Sequence, residues 1–288
     1  MNNCKKDISK IIESLALKEG ADMIGFAPIH RFDSCPEKTH PKYYMKDARV
    51  VIVMGIGYPK SIGKVWGTFE EEHKLPTPYM EFGFAILNLQ LSGIALKISK
   101  FLETLNYEGI PLPPSYSLSA YRYLYKGDFS IKHAAFAAGL GAFGWNNLFL
   151  TSRFGARQRL VAVISNAPIE KEVELLNPED FCKPELCKYA CVRLCPTNAL
   201  SKDKSQEFIM DRKSFYYAKL DHNLCRWALN GLVKGSGSRS HFNPPEKISQ
   251  GELEKARGKR NFSDNILFEM YFIDFCAKCM HQCPSPDF

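Results

Sequence analysis

Apolar positions along the chain change period several times, and each change predicts an element. From Asp7, the residues Ile8, Ile11, Ile12 and Leu15 recur at helical spacing and Gly20 closes the segment, so an amphipathic helix opens the chain. Residues 21–29 and 49–58 are short, apolar and rich in β-branched side chains, which predicts two strands, the second of them buried. Between 59 and 79, Gly, Pro and charged residues prevail without a period. That reads as a long loop, either a lid over a site or a mobile excursion. Phe84, Leu87, Leu91, Ile94, Ile98, Leu102 and Leu105 then mark the longest core helix. Residues 107–114 return as a short strand and Pro-rich turn, and the tyrosines at 116, 121, 123 and 125 read as half-buried packing. Residues 131–138 are helical and 159–164 form another buried strand.

Helix and strand patterns interleave through the first part, so the fold class is α/β, with a main domain over 1–170 and a smaller one over 171–288. A hydrophobic fraction of 45% and an aromatic fraction of 12% suffice for a sizeable core. No apolar run approaches the roughly 18 residues of a membrane span. No leader precedes the first helix, so the expectation is a soluble cytoplasmic protein with no membrane partner. The formal charge of +7 invites a nucleic-acid reading, but the basic residues are dispersed rather than gathered in a stripe. The stretch 231–261, rich in Lys and Arg and poor in aromatics, reads as a solvated, flexible insertion.

Cysteine spacing carries the chemistry. FCKPELCKYACVRLCP, at 181–196, and CAKCMHQCP, at 276–284, both end in Cys-Pro, and Cys225 lies alone between them. In bacterial two-cluster ferredoxins, three close cysteines hold one 4Fe-4S cubane while a fourth, followed by proline, reaches to the other. Applied here, Cys182, Cys187, Cys191 and Cys283 form one ligand set, and Cys195, Cys225, Cys276 and Cys279 the second. The spacing from Cys182 is longer than usual, which makes it the least regular ligand. Zinc would favour paired C-x2-C knuckles, and only Cys276 and Cys279 supply one. Disulfides would need an oxidising compartment. Cys4 and Cys35 fall outside both sets. Two oxidised clusters would lower the net charge to about +3. Asp221 is placed to cap a helix bearing Cys225, and Ser263 to cap a last helix that delivers Cys276.

The run Gly139-Leu140-Gly141-Ala142-Phe143-Gly144 spells G-x-G-x-x-G. A dinucleotide site needs a strand before that run and an acidic residue about 20 positions on, and neither is evident. The glycines instead permit tight turns or close approach of backbone to a large ligand.

Ala138-Gly-Leu-Gly141 with Gly144 and Asn146, the stretch Phe154-Gly-Ala-Arg157-Gln-Arg-Leu160, and the cysteine order with its isolated Cys225 resemble the epoxyqueuosine reductase and reductive dehalogenase superfamily. The resemblance implies a nitroreductase-like α+β domain that holds base-off cobalamin, followed by a ferredoxin-like domain with two 4Fe-4S clusters. It implies corrinoid binding over 139–147, with Gly139, Leu140, Gly141, Gly144, Asn146 and Arg157 at the cofactor. Ungapped alignment puts Tyr125 where that superfamily keeps its proton donor, with Asp128 three residues later. Lys126, Lys132 and Arg157 are the cations able to stabilise the phenolate, and His133 is a fallback donor. The implied enzyme is an oxidoreductase that takes electrons from a low-potential ferredoxin or flavodoxin and reduces a small molecule beside the cobalt. tRNA is not favoured as a partner, because the chain stops five residues after Cys283. A non-catalytic electron carrier and a flavin-dependent reductase are the alternatives.

Overall fold

The structure is a computed structural model that describes residues 7–114, 129–271 and 274–287. Helix α1 (Ile8–Lys18) begins where the Asp7 carboxylate accepts from the Ser9 N–H at 3.1 Å, and it buries Ile12 and Ala16. Strands β1 (Met23–Pro28) and β2 (Val50–Gly57) follow, with the short α2 (Pro41–Tyr44) between them. After α3 (Lys60–Val65), a π-helical turn at Tyr79–Ala85 leads into α4 (Ile86–Thr104), then β3 (Gly109–Leu112). Helix α5 (Ile131–Ala137), the two-residue strands β4 (Ala142–Phe143) and β5 (Phe149–Leu150), and β6 (Gln158–Ser165) complete this part.

Four strands form one sheet in the order β1-β2-β6-β3. Every pairing in it is antiparallel, with Val53 opposite both Gly25 and Ala162. This corrects the α/β expectation. An α/β chain joins parallel strands through helical crossovers, whereas these strands pair only antiparallel, so the architecture is α+β.

Both faces of the sheet are covered, which explains why β2 reads as a continuous apolar run rather than an alternating one. Val50, Ile52, Met54 and Ile56 face α1 and α4, while Val51 and Val53 face α5 and Phe143. Tyr79–Thr104 is long and apolar enough by composition to cross a membrane. Its buried side chains, Leu87, Leu91, Ile94, Ile98 and Leu102, belong instead to the core shared with the sheet.

The second part opens with α6 (Ala190–Arg193) and a hairpin of β7 (Leu200–Met210) and β8 (Lys213–Leu220). Helices α7 (His222–Leu229), α8 (Gln250–Gly258), α9 (Phe262–Tyr271) and α10 (Lys278–His281) follow. Asp221 caps α7 as predicted, its carboxylate accepting from the N–H groups of Asn223 and Leu224. Ser263 lies inside the first turn of α9 rather than at its cap.

Two loops depart from the sequence reading. The stretch 231–261 is neither solvated nor irregular throughout: Ser236, Ser238 and Ser240 are buried, and 250–258 is helical. Asp264, fully buried, accepts from the Ser240 hydroxyl at 2.8 Å and the Arg239 N–H at 3.2 Å. The loop 59–79 is also packed down. Trp66 is buried beside His281, ring centroids 5.3 Å apart, and the Arg239 guanidinium lies 4.7 Å from the Phe69 ring. The two stretches hold each other.

The end of the chain returns to the first part. Phe275 and Ala277 are buried in the core that contains β2 and α4. The Ser285 carbonyl backs onto Gly155, and Lys60 pairs with Asp287 at 2.5 Å.

Candidate functional site

Eight cysteines gather where the two parts meet. All nine described cysteines are unpaired. Burial, and then the negative charge of Cys182, Cys283 and Cys187, pushes the Cys191 thiol up to about 12. Cys283 is raised to about 11 by burial and, less strongly, by Cys182 and Cys187. These four are therefore one electrostatic group, and Cys182 is a full member despite its spacing. The other four behave likewise. Burial first, then Cys195, raises Cys225 to about 12, and Cys276 rises to about 12 by burial with Cys225 and Cys195 beside it. Cys279 is pushed well up by burial and by Cys276, Cys225 and Cys195, with Cys191 a weaker neighbour. That last contact puts the two sets side by side. Cys191 and Cys279 also share an apolar cluster with Trp145, Leu200 and Ala218.

Elements from both parts build each set. The first surrounds a small cleft, partly open to solvent, lined by Cys182, Cys187, Cys191 and Cys283 together with Trp145, Asn146 and the two prolines Pro184 and Pro284. The Trp145 N–H donates to the Cys182 sulfur at 3.2 Å, and the Ala199 N–H to the Cys195 sulfur at 3.3 Å. Asn146 Nδ2 donates to the Cys279 carbonyl at 3.2 Å. Buried polar atoms nearby lack partners: Arg157 Nε, His281 Nδ1 and Ser285 Oγ. Arg157 is close enough to draw the Cys283 thiol down. Buried donors are ordinarily satisfied, so this set of orphans fits a site built to surround a bound acceptor.

Beside the second set lies Lys132. Its ammonium donates to the Asn147 carbonyl at 2.6 Å and side-chain Oδ1 at 3.1 Å. Burial pulls its pKa down to about 8, while Cys225 and Cys279 act the other way. His133, on the same helical turn, is boxed by Phe143, Phe208 and Tyr217, and Ser130 Oγ sits 2.6 Å from its Nδ1. Burial, then Lys132, holds His133 down at about 3, so the ring is neutral.

The glycine segment differs from what the resemblance implies. A side chain at Gly141 would meet the Leu150 carbonyl at 2.0 Å, one at Gly139 the Glu174 carbonyl at 2.9 Å, and one at Gly144 Leu150 Cδ1 at 2.7 Å. Leu140 lies over Gly25 of β1. The space these glycines keep is filled by the chain itself, where β4 and β5 turn back on each other. The structure brings Lys132, His133, Leu140 and Asn146 to the junction, while Arg157 faces Cys283, His281 and Tyr58. Tyr125, Lys126 and Asp128 lie outside the described residues.

Sequence reasoning missed an aromatic group around His281. The Tyr58 hydroxyl is 2.9 Å from His281 Nε2, and the Tyr79 ring is 4.8 Å from the imidazole. Only the position of His281, between Cys279 and Cys283, could have signalled it. The β7–β8 hairpin was missed too, because β7 is mostly polar and exposed. Its signal was the alternation of Phe208 with Met210 and of Phe215 with Tyr217 about the Asp211–Arg212 turn, both residues of which have positive φ.

No protein-family model matches the chain. A tetrachloroethene reductive dehalogenase of Dehalobacter restrictus is 30% identical over 151 residues, which is 49% of this chain and 25% of that protein. An epoxyqueuosine reductase of Lactococcus garvieae is 26% identical over 177 residues, 58% of this chain and 43% of the relative. The chain thus spans a quarter to under half of the relatives it matches. A solved catabolic reductive dehalogenase, in complex with 3-bromo-4-hydroxybenzoic acid, superposes with a TM-score of 0.55 at 16% identity, over 91% of this chain and 36% of its own. In fold, then, the chain follows a reductive dehalogenase, and over the matched stretches of sequence it is similar to a tetrachloroethene reductive dehalogenase and to an epoxyqueuosine reductase.

Proposed function

We propose that the protein is an iron-sulfur oxidoreductase that carries electrons through two 4Fe-4S clusters, one held by Cys182, Cys187, Cys191 and Cys283 and the other by Cys195, Cys225, Cys276 and Cys279. The observation that carries this reading is the crossed grouping. Cys283 sits with the early cysteines, and Cys195 with Cys225 and the later pair. Buried thiols raised so far stay protonated unless a metal takes the sulfur, because the thiolate is the ligand. Among the described residues, no three His, Cys, Asp or Glu side chains close on a single point as one ion requires. Zinc favours paired C-x2-C knuckles, which only Cys276 and Cys279 supply, whereas two sets of four cysteines with crossed Cys-Pro endings suit two polynuclear clusters. When bound, such clusters supply one-electron transfer at potentials set by hydrogen bonds, charge and burial.

The chain's own residues would tune and shield that transfer. Trp145 and Ala199 donate to ligand sulfurs, Arg157 offers charge near Cys283, and Tyr58, Tyr79, Trp66 and His281 exclude water beside Cys279. The electron source is a low-potential donor protein and the acceptor a small molecule, both taken from the chemistry of the relatives. The cytoplasm suits cysteines kept reduced. For the corrinoid that the resemblance implies, the glycine segment offers no open cradle on the side where side chains are missing, since Leu150 of β5 fills it at Gly141 and Gly144 and residues 173–174 fill it at Gly139.

Anaerobic reconstitution of the full chain with iron and sulfide should give about eight irons per chain. Cys195→Ala should damage the cluster whose other ligands lie at 225, 276 and 279, leaving the Cys182 set intact. Four irons in the fully reconstituted wild type would overturn the reading.

A further inference from the structure

Lys132 is a half-buried cation with no counter-charge among the described residues. Its two hydrogen-bond acceptors, both on Asn147, are neutral; the adjoining Asn146 side chain reaches the Cys279 carbonyl at 3.2 Å, and the groups that act on Lys132 electrostatically are the sulfurs of Cys225 and Cys279. Arg226 also touches on Cys225, but its guanidinium faces Asp274 at 4.0 Å. Among the described residues, no carboxylate pairs with Lys132. Burying an ammonium without a counter-charge is costly, and the cost is recovered when an anion of more than one charge sits beside it.

On the two-cluster reading, we infer that Lys132 is the counter-cation of the cluster held by Cys195, Cys225, Cys276 and Cys279, and that it sets how readily that cluster is reduced. Reduction adds one negative charge to the cluster. A fixed cation nearby stabilises the reduced form more than the oxidised one, and enclosure strengthens the effect because little water screens it. Lys132 stands on α5, in the first part of the chain, whereas its partners stand on α7 and the C-terminal segment. The potential of this cluster is thereby tied to the placement of the first part. Lys132 acts through the cluster, as a positioning charge.

The test is an EPR-monitored redox titration of the reconstituted full chain, after iron analysis has established that both clusters are present. Cys225→Ser, which alters one ligand, identifies which signal belongs to the second cluster. Lys132→Met should shift that midpoint to more negative potential and leave the other unmoved, while Lys132→Arg should restore it. Lys132→Gln, which keeps a donor toward Asn147, should shift it in the same direction and serves if the methionine variant folds poorly. Full iron content with neither midpoint moved in the methionine or glutamine variant would overturn the inference. So would an equal shift of both clusters, which would mark a general loosening. A wild type with fewer than two clusters would defeat the underlying reading instead, and the iron count separates that failure from this one.

Discussion

His133 is named by sequence as a fallback proton donor, and its surroundings set what it can do: the ring sits among Phe143, Phe208 and Tyr217 and is held neutral down to about pH 3. The unfolded chain takes up the proton first, near 6.5. Stability should therefore be undiminished above that pH and fall as the pH drops from 6.5 toward 3, by about 1.4 kcal/mol per unit for this group. Urea denaturation between pH 7 and 4.5 should show that slope in the wild type and a shallower one in His133→Phe. The cysteines were legible for a different reason. Ligand chemistry is written in local spacing, so the eight cysteines that gather at the junction, Cys225 included, could be named before any fold was known; that they hold two clusters belongs to the proposed reading. Lys132 and Arg157 could be named as cations from sequence, but which set each one faces depends on the junction between distant elements.

Among the elements, those with an apolar period were readable and those stabilised by polar contacts were not. α1, α4, β2 and β6 fall where the pattern placed them, since each buries a face or both faces against the core. The pattern could not reveal pairing direction, and so an antiparallel sheet was taken for an α/β one. The 231–261 stretch looked solvated because several of its buried residues are serines, satisfied by the Val233 and Gly231 carbonyls and, for Ser240, by Asp264. Asp264→Ala should leave the Ser240 hydroxyl and Arg239 N–H unsatisfied, at a cost of about 1–3 kcal/mol per orphaned group. Chemical denaturation would measure it, and an unchanged midpoint would show that water replaces the carboxylate. The glycine segment makes the opposite point. Gly141 was legible as a site of close approach, but the approaching atom is the Leu150 carbonyl. Gly141→Val should lower the melting temperature of the protein free of any added cofactor. A variant with wild-type melting that had lost only cobalamin binding would return the segment to the ligand.

At the scale of the whole molecule, the two parts are one object. The apolar cluster around β2 and α4 contains Phe275 and Ala277 from near the C-terminal end, and Lys60 reaches Asp287. A boundary near 170 is a boundary in sequence only, for the last segment crosses back over it. The relatives agree in fold while exceeding this chain in length.

The returning C-terminal segment has a consequence for assembly. Cys276, Cys279 and Cys283 divide between both foursomes, so neither ligand set is complete until this one segment has docked against β2 and α4. In the proposed reading, the docking of that segment and the loading of both clusters stand or fall together.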